Sequence, residues 1–111
     1  MSDKLLVIIA TGERAKAQAG VMYALNAVKH AWLGEVKLYF FGPAEGLLLD
    51  DEDLQVMVHD FRQLEGEPVA CRFLADRDGQ SEGLRELGVQ VQYVGPPISE
   101  LIRAGYVPMV W

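Results

Sequence analysis

Cysteine is nearly absent from this chain: its 111 residues include one, Cys71. One cysteine excludes an internal disulfide, and no Cys/His spacing of the zinc type is present, which would need about four ligands held close together. The two histidines, His30 and His59, have polar or charged neighbours and read as surface residues. That weakens the case for a cysteine–histidine hydrolase. Glycine-rich phosphate motifs are missing as well. A dinucleotide site wants Gly-x-Gly-x-x-Gly after the first strand, where this chain has only Gly12 and, further on, Gly20; the Gly-Lys-Ser/Thr ending of a P-loop is absent. A response-regulator receiver would need paired acids after strand one and an aspartate ending strand three, and those places hold Thr11, Gly12 and Cys71. No cofactor or metal is therefore expected.

Long apolar runs are lacking too. The first ends at Thr11, far short of the roughly 20 residues of a spanning helix. It has no basic leader or small-residue cleavage site, so it reads as a first strand and not a signal peptide. The expectation is a cytoplasmic protein whose Cys71 stays reduced, with no membrane contact. Basic residues are the minority charge, 10 against 16 acidic, for a net charge of −6. They are scattered, and such a field repels phosphate backbones, so direct nucleic-acid binding is not expected.

What is present is an alternation of strand and helix signals over a length suited to one domain, residues 1–111. The run "KLLVIIA" has the near-continuous apolarity of a parallel strand buried on both faces. Val21, Leu25, Val28 and Trp32 then recur at helical spacing, with Gly34 as the stop and alanines widening the apolar face. "EVKLYFFG" reads as strand two. A second helix follows, with Asp50 to Asp53 at its capped, acidic start. Leu47 to Leu49 are left in a loop before it, as a lid near Cys71 or a subunit contact. "EPVAC" reads as strand three, "VQVQYVG" as a strand with one wetter face, and "YVPMVW" as a last strand at a sheet edge, since Pro108 cannot donate to a ladder. Helices are expected in "SEGLRELG" and "PPISELIRAG". The pattern implies an α/β fold, a three-layer α/β/α sandwich on a mostly parallel five-stranded sheet. Half of the residues are hydrophobic, which favours apolar surface buried between subunits of a homo-oligomer.

In such sheets ligands bind beyond the carboxyl ends of the strands. Cys71 falls on that edge, where strand three feeds "RFLADRDG". A thiol so placed meets unpaired N–H groups, a positive helix dipole and, here, the adjacent Arg72, which are the surroundings of a nucleophilic cysteine. A lone cysteine after Val69 and Ala70 can equally be a small apolar core residue. Position alone leaves both readings open.

Four stretches together, "KLLVIIATGERAKAQAGVMYALNA", "VKLYFFGPAEGLLL", "VACRFLADRDG" and "LGVQVQYVGPPISELIRAGY", span nearly the whole chain. In them the chain resembles the DsrE/DsrF-like family of small sulfur-relay proteins, including its YchN-type members. The resemblance implies a five-stranded α/β fold, assembly as trimers or hexamers, and a cysteine at the Cys71 position that carries a persulfide between a donor and an acceptor protein, on a route to sulfur oxidation or tRNA thiolation. With no second cysteine in the subunit, the sulfur would be handed on to another molecule. On loop position, Arg72 and Arg14 are the cations expected near that persulfide, and Thr11 and Gly12 the expected backbone donors. The alternative from another class is a non-catalytic oligomeric binding module in which Cys71 only packs.

Overall fold

The computed structural model describes residues 3–111. The element order is β1 (Lys4–Ile9), α1 (Arg14–Lys29), β2 (Glu35–Phe40), α2 (Pro43–Asp50), α3 (Glu52–Leu64), β3 (Val69–Cys71), α4 (Arg72–Arg77), α5 (Ser81–Glu86), β4 (Gln90–Gln92), α6 (Gly95–Arg103) and β5 (Val107–Val110). The strands form one five-stranded sheet in the order β4-β3-β2-β1-β5, and every pairing is parallel.

The topology makes the three layers unequal. From β1 to β4 the chain steps across the sheet in one direction, so right-handed crossovers put the intervening helices on one face. Only the return from β4 to β5 reverses, and that connection, α6, lies on the other. The two apolar clusters follow this division. Leu5, Val7 and Ile9 of β1 pack with Val21, Leu54, Phe61 and Leu84 from α1, α3 and α5. Leu6, Tyr39, Val69 and Cys71, which alternate to the opposite face, pack with Ile98 and Leu101 of α6.

One nine-residue helix does not cover five strands. Beside α6 a groove of about 410 Å³ stays open, lined among others by Lys37, Tyr39, Val69, Gln90, Gln92 and Leu101. Gln90 and Gln92 are the wetter face of the fourth strand, as their alternation in sequence suggested.

Two boundaries differ from the sequence expectation. Leu47 to Leu49 are not in a loop but in α2, and the expected single second helix is two. Pro43 occupies the first turn of α2, Glu45 reaches back to the Gly42 N–H, and the chain breaks at Asp51, whose side chain accepts the Asp53 N–H to start α3. Leu48 is fully buried, and Leu47 and Leu49 pack against the larger cluster, on the far side of the sheet from the Cys71 layer. They do not form a lid over Cys71. The first helix also ends earlier than expected, at Lys29. Ala31 adopts a φ of 54°, and Trp32 lies outside the helix, tilted against Tyr23 and stacked on His30.

β5 is an edge strand. The Trp111 N–H donates to the Ile8 carbonyl and the Ala10 N–H to the Trp111 carbonyl, each at 2.8 Å. Alternation then turns the Pro108 nitrogen outward, where a partner strand would need a donor.

Candidate functional site

The loops at the carboxyl ends of the strands form a row. Thr11 and Gly12 follow β1, Gly42 and Pro43 follow β2, Cys71 ends β3, and Tyr93 follows β4. Gly12 and Pro43 are so close that a Cβ on Gly12 would stand 3.1 Å from the Pro43 Cβ. Gly42 has a φ of 70°, a conformation open to glycine, and this sets the chain into α2.

Cys71 is the last residue of β3 and the N-cap of α4, with its side chain in the layer under α6. It is 6% exposed. It lines neither the groove beside α6 nor the smaller ones near Trp32 and Leu64.

The other expected site residues are brought to the same edge but have engagements of their own. Arg72 bonds Asp76 at 3.2 Å and lies over the Tyr93 ring, 5.2 Å from its centroid. The Ser81 hydroxyl also donates to Asp76, and together with Arg72 it holds that carboxyl below its ordinary range. Arg14 pairs with Asp51 at 3.4 Å, where Gln18 donates to the same oxygen. That triad clamps the start of α1 to the start of α3. The Thr11 N–H donates to the Trp111 carbonyl, and its hydroxyl accepts the Glu13 N–H. Gly12 is exposed. His30, the residue just after α1, and His59, on α3, are exposed and lie away from this edge.

The residue that reasoning from sequence missed is Glu45. It is fully buried at the start of α2. Its Oε1 accepts the Gly42 N–H at 3.1 Å. Among the described residues, Oε2 has no hydrogen-bond partner. Burial pushes this carboxyl up to about 7, and nearby Asp78 adds to the rise; the Gly42 and Cys71 N–H groups and Arg77 oppose it. A carboxyl in such a place exchanges its proton near neutrality, which a surface glutamate does not. The sequence signal was the string "GPAEG": a proline at the first helical position with a glutamate two residues later marks a capped helix start.

Among the described residues no group of three or more His, Cys, Asp or Glu side chains could hold a metal ion, and no helix is long and apolar enough to cross a membrane.

No protein-family model and no curated protein matches the chain. A solved structure does: a conserved protein of unknown function from Bacteroides thetaiotaomicron, 22% identical, aligns over 96% of this chain and 94% of its own with a TM-score of 0.80. At that identity the likeness is one of fold, and the fold it supports is the three-layer α/β/α arrangement described above.

Proposed function

We propose that the protein is a small cytoplasmic sulfur carrier that holds a persulfide on Cys71 and passes the sulfur to a partner. The observation that carries this reading is the position of Cys71 at the carboxyl end of β3, as the last residue before α4. The Cys71 thiolate attacks the outer sulfur of a donor persulfide. A new S–S bond forms at Cys71, the donor S–S bond breaks, and the donor departs as a thiolate that takes up a proton. An acceptor thiolate repeats the exchange, so no external oxidant or reductant is consumed. With a net charge of −6, any contact with tRNA falls to the partner. Assembly as a homo-oligomer fits the exposed Ile102, Val107 and Val110 on α6 and β5.

A second reading is favoured by the 6% exposure of Cys71 and by its place in the apolar layer under α6. In it the protein is a non-catalytic oligomeric binding module, and Cys71 is packing. Intact-mass spectrometry separates the two. Reduced protein is incubated with a sulfane-sulfur donor and alkylated, with Cys71→Ser as control. A gain of one sulfur that is absent from the variant and removed by reductant supports the carrier. No adduct at any donor concentration leaves the binding module.

A further inference from the structure

The part of the sheet left uncovered beside α6 is not a plain apolar face. By strand alternation Lys37 and Tyr39 of β2 project to the α6 side, and both line the groove of about 410 Å³ there. Tyr39 is 6% exposed, yet among the described residues its hydroxyl has no hydrogen-bond partner. A buried phenol normally finds one, and an unanswered donor in a cavity wall points to a partner from outside the chain. Burial pushes this phenol up, so near neutrality it keeps its proton and can donate. Lys37 is half-buried and likewise has no ion pair or hydrogen bond among the described residues. The other polar side chains of the groove are engaged. Glu67 pairs with Arg62 at 3.8 Å, the Glu65 Oε1 accepts the Val36 N–H at 3.3 Å, and Gln92 donates to Gln90 at 2.8 Å. The two side chains left without a partner are thus donors, an ammonium and a phenol.

We propose that this groove binds a small monocarboxylic acid with an apolar body, whose carboxylate is received by the Lys37 ammonium and the Tyr39 hydroxyl. Lys37 and Tyr39 are two residues apart on one strand, about 7 Å along the backbone, so a long lysine side chain brings its charge within reach of a carboxylate held by the phenol. Hydrogen bonds of this charge-assisted kind are the strong ones. Val69, Pro97 and Leu101 form an apolar wall for the rest of the molecule. The volume falls in the range of small-ligand sites, roughly 300–1,000 Å³, and the lining has their character, apolar with a few polar groups that fix orientation. Glu65 and Glu67, which precede β3 at the amino end of the groove, repel a second negative charge, so the ligand carries one. This binding involves no sulfur chemistry and stands whether or not Cys71 is a carrier.

The test is an NMR titration of nitrogen-labelled protein with hexanoate at millimolar concentrations, alongside the neutral hexanamide and the doubly charged hexanedioate. Hexanoate should shift the backbone amides of Tyr39 and Val69 and the side-chain amides of Gln90 and Gln92, and should bind about tenfold more tightly than hexanamide. Hexanedioate should bind more weakly than hexanoate. These comparisons need no variant. Lys37→Met should lower the affinity for hexanoate about tenfold and leave that for hexanamide unchanged. Tyr39→Phe should weaken hexanoate binding about threefold at an unchanged Tm, because the hydroxyl it removes bonds nothing in the free protein. A lowered Tm with unchanged affinity would make that hydroxyl structural and overturn its assigned role. Equal affinity for hexanoate and hexanamide, tighter binding of hexanedioate, shifts confined to residues outside the groove, or wild-type affinity in Lys37→Met overturns the proposal. So does a groove whose signals move on dilution of the protein and not with hexanoate, since a second copy of the chain then covers it.

Discussion

Glu45 gives the stability of the protein a contribution that depends on pH near neutrality. Its carboxyl stands at about 7 in the folded state against an ordinary value of 4.5, because burial disfavours its charge. A displacement of this size corresponds to roughly 3 kcal/mol, a large part of the 5–15 kcal/mol that holds a typical domain together. The direction is set by the raised value. Between 4.5 and 7 the folded state binds a proton that the unfolded state has released, so stability is fully present below 4.5 and is lost as the pH rises through 7. Replacing the carboxyl by an amide of nearly the same shape keeps an acceptor for the Gly42 N–H and removes the titration. Urea unfolding of the wild type and Glu45→Gln at pH 5, 6, 7 and 8 measures the difference, with contributions common to both proteins cancelling. The variant should gain on the wild type as the pH rises, by about 1–3 kcal/mol between pH 5 and pH 8. Two curves that run parallel over this range would refute the argument, because a buried carboxyl that does not alter the pH dependence is not being charged against its surroundings.

Gly20 of α1 faces β1 and the end of the chain, and a Cβ there would stand 2.6 Å from both the Ile9 Cδ1 and the Trp111 Cγ. Gly20→Ala should therefore lower stability in a thermal or urea melt despite the gain of about 1 kcal/mol in helix propensity, since overpacking costs about 1–3 kcal/mol. On the proposed assembly, the contact expected is one of side chains from the exposed apolar residues of α6 and β5, since the outward Pro108 hinders strand addition. Light scattering at micromolar concentration should give an oligomer, and Val110→Asp should shift it toward the monomer; a wild-type monomer would contradict assembly.

The elements that were legible in the sequence are those whose residues state their own surroundings. β1 is apolar at nearly every position because both its faces are covered, and α1 keeps its spacing because one face is buried. The acidic start of α3 was legible because an N-cap is a local interaction, here Asp51 with the Asp53 N–H. α2 was read as a loop because Gly42, Pro43 and Gly46 are turn residues by type. Its helix is secured by Pro43 at the first position, the Glu45 cap and the burial of Leu48. The last two involve contacts that a list of turn residues does not express.

The candidate site divides in the same way. Sequence order placed Cys71, Thr11, Gly12, Arg14 and Arg72 at the carboxyl edge, since in a parallel α/β chain every strand end meets that edge. Which of those groups are free there was decided by the tertiary structure. Arg14 lies against Asp51 from 37 residues away, the Thr11 N–H bonds the last residue of the chain, and Arg72 rests on Asp76 and Tyr93. The burial of Glu45 likewise depends on how α2 packs against α3 and α5. Composition and periodicity, being local, determined the α/β class and the parallel sheet. The covering of Cys71, the exposure of one sheet face beside α6 and the environment of Glu45 arise from contacts between segments distant in sequence, so only the folded chain could determine them.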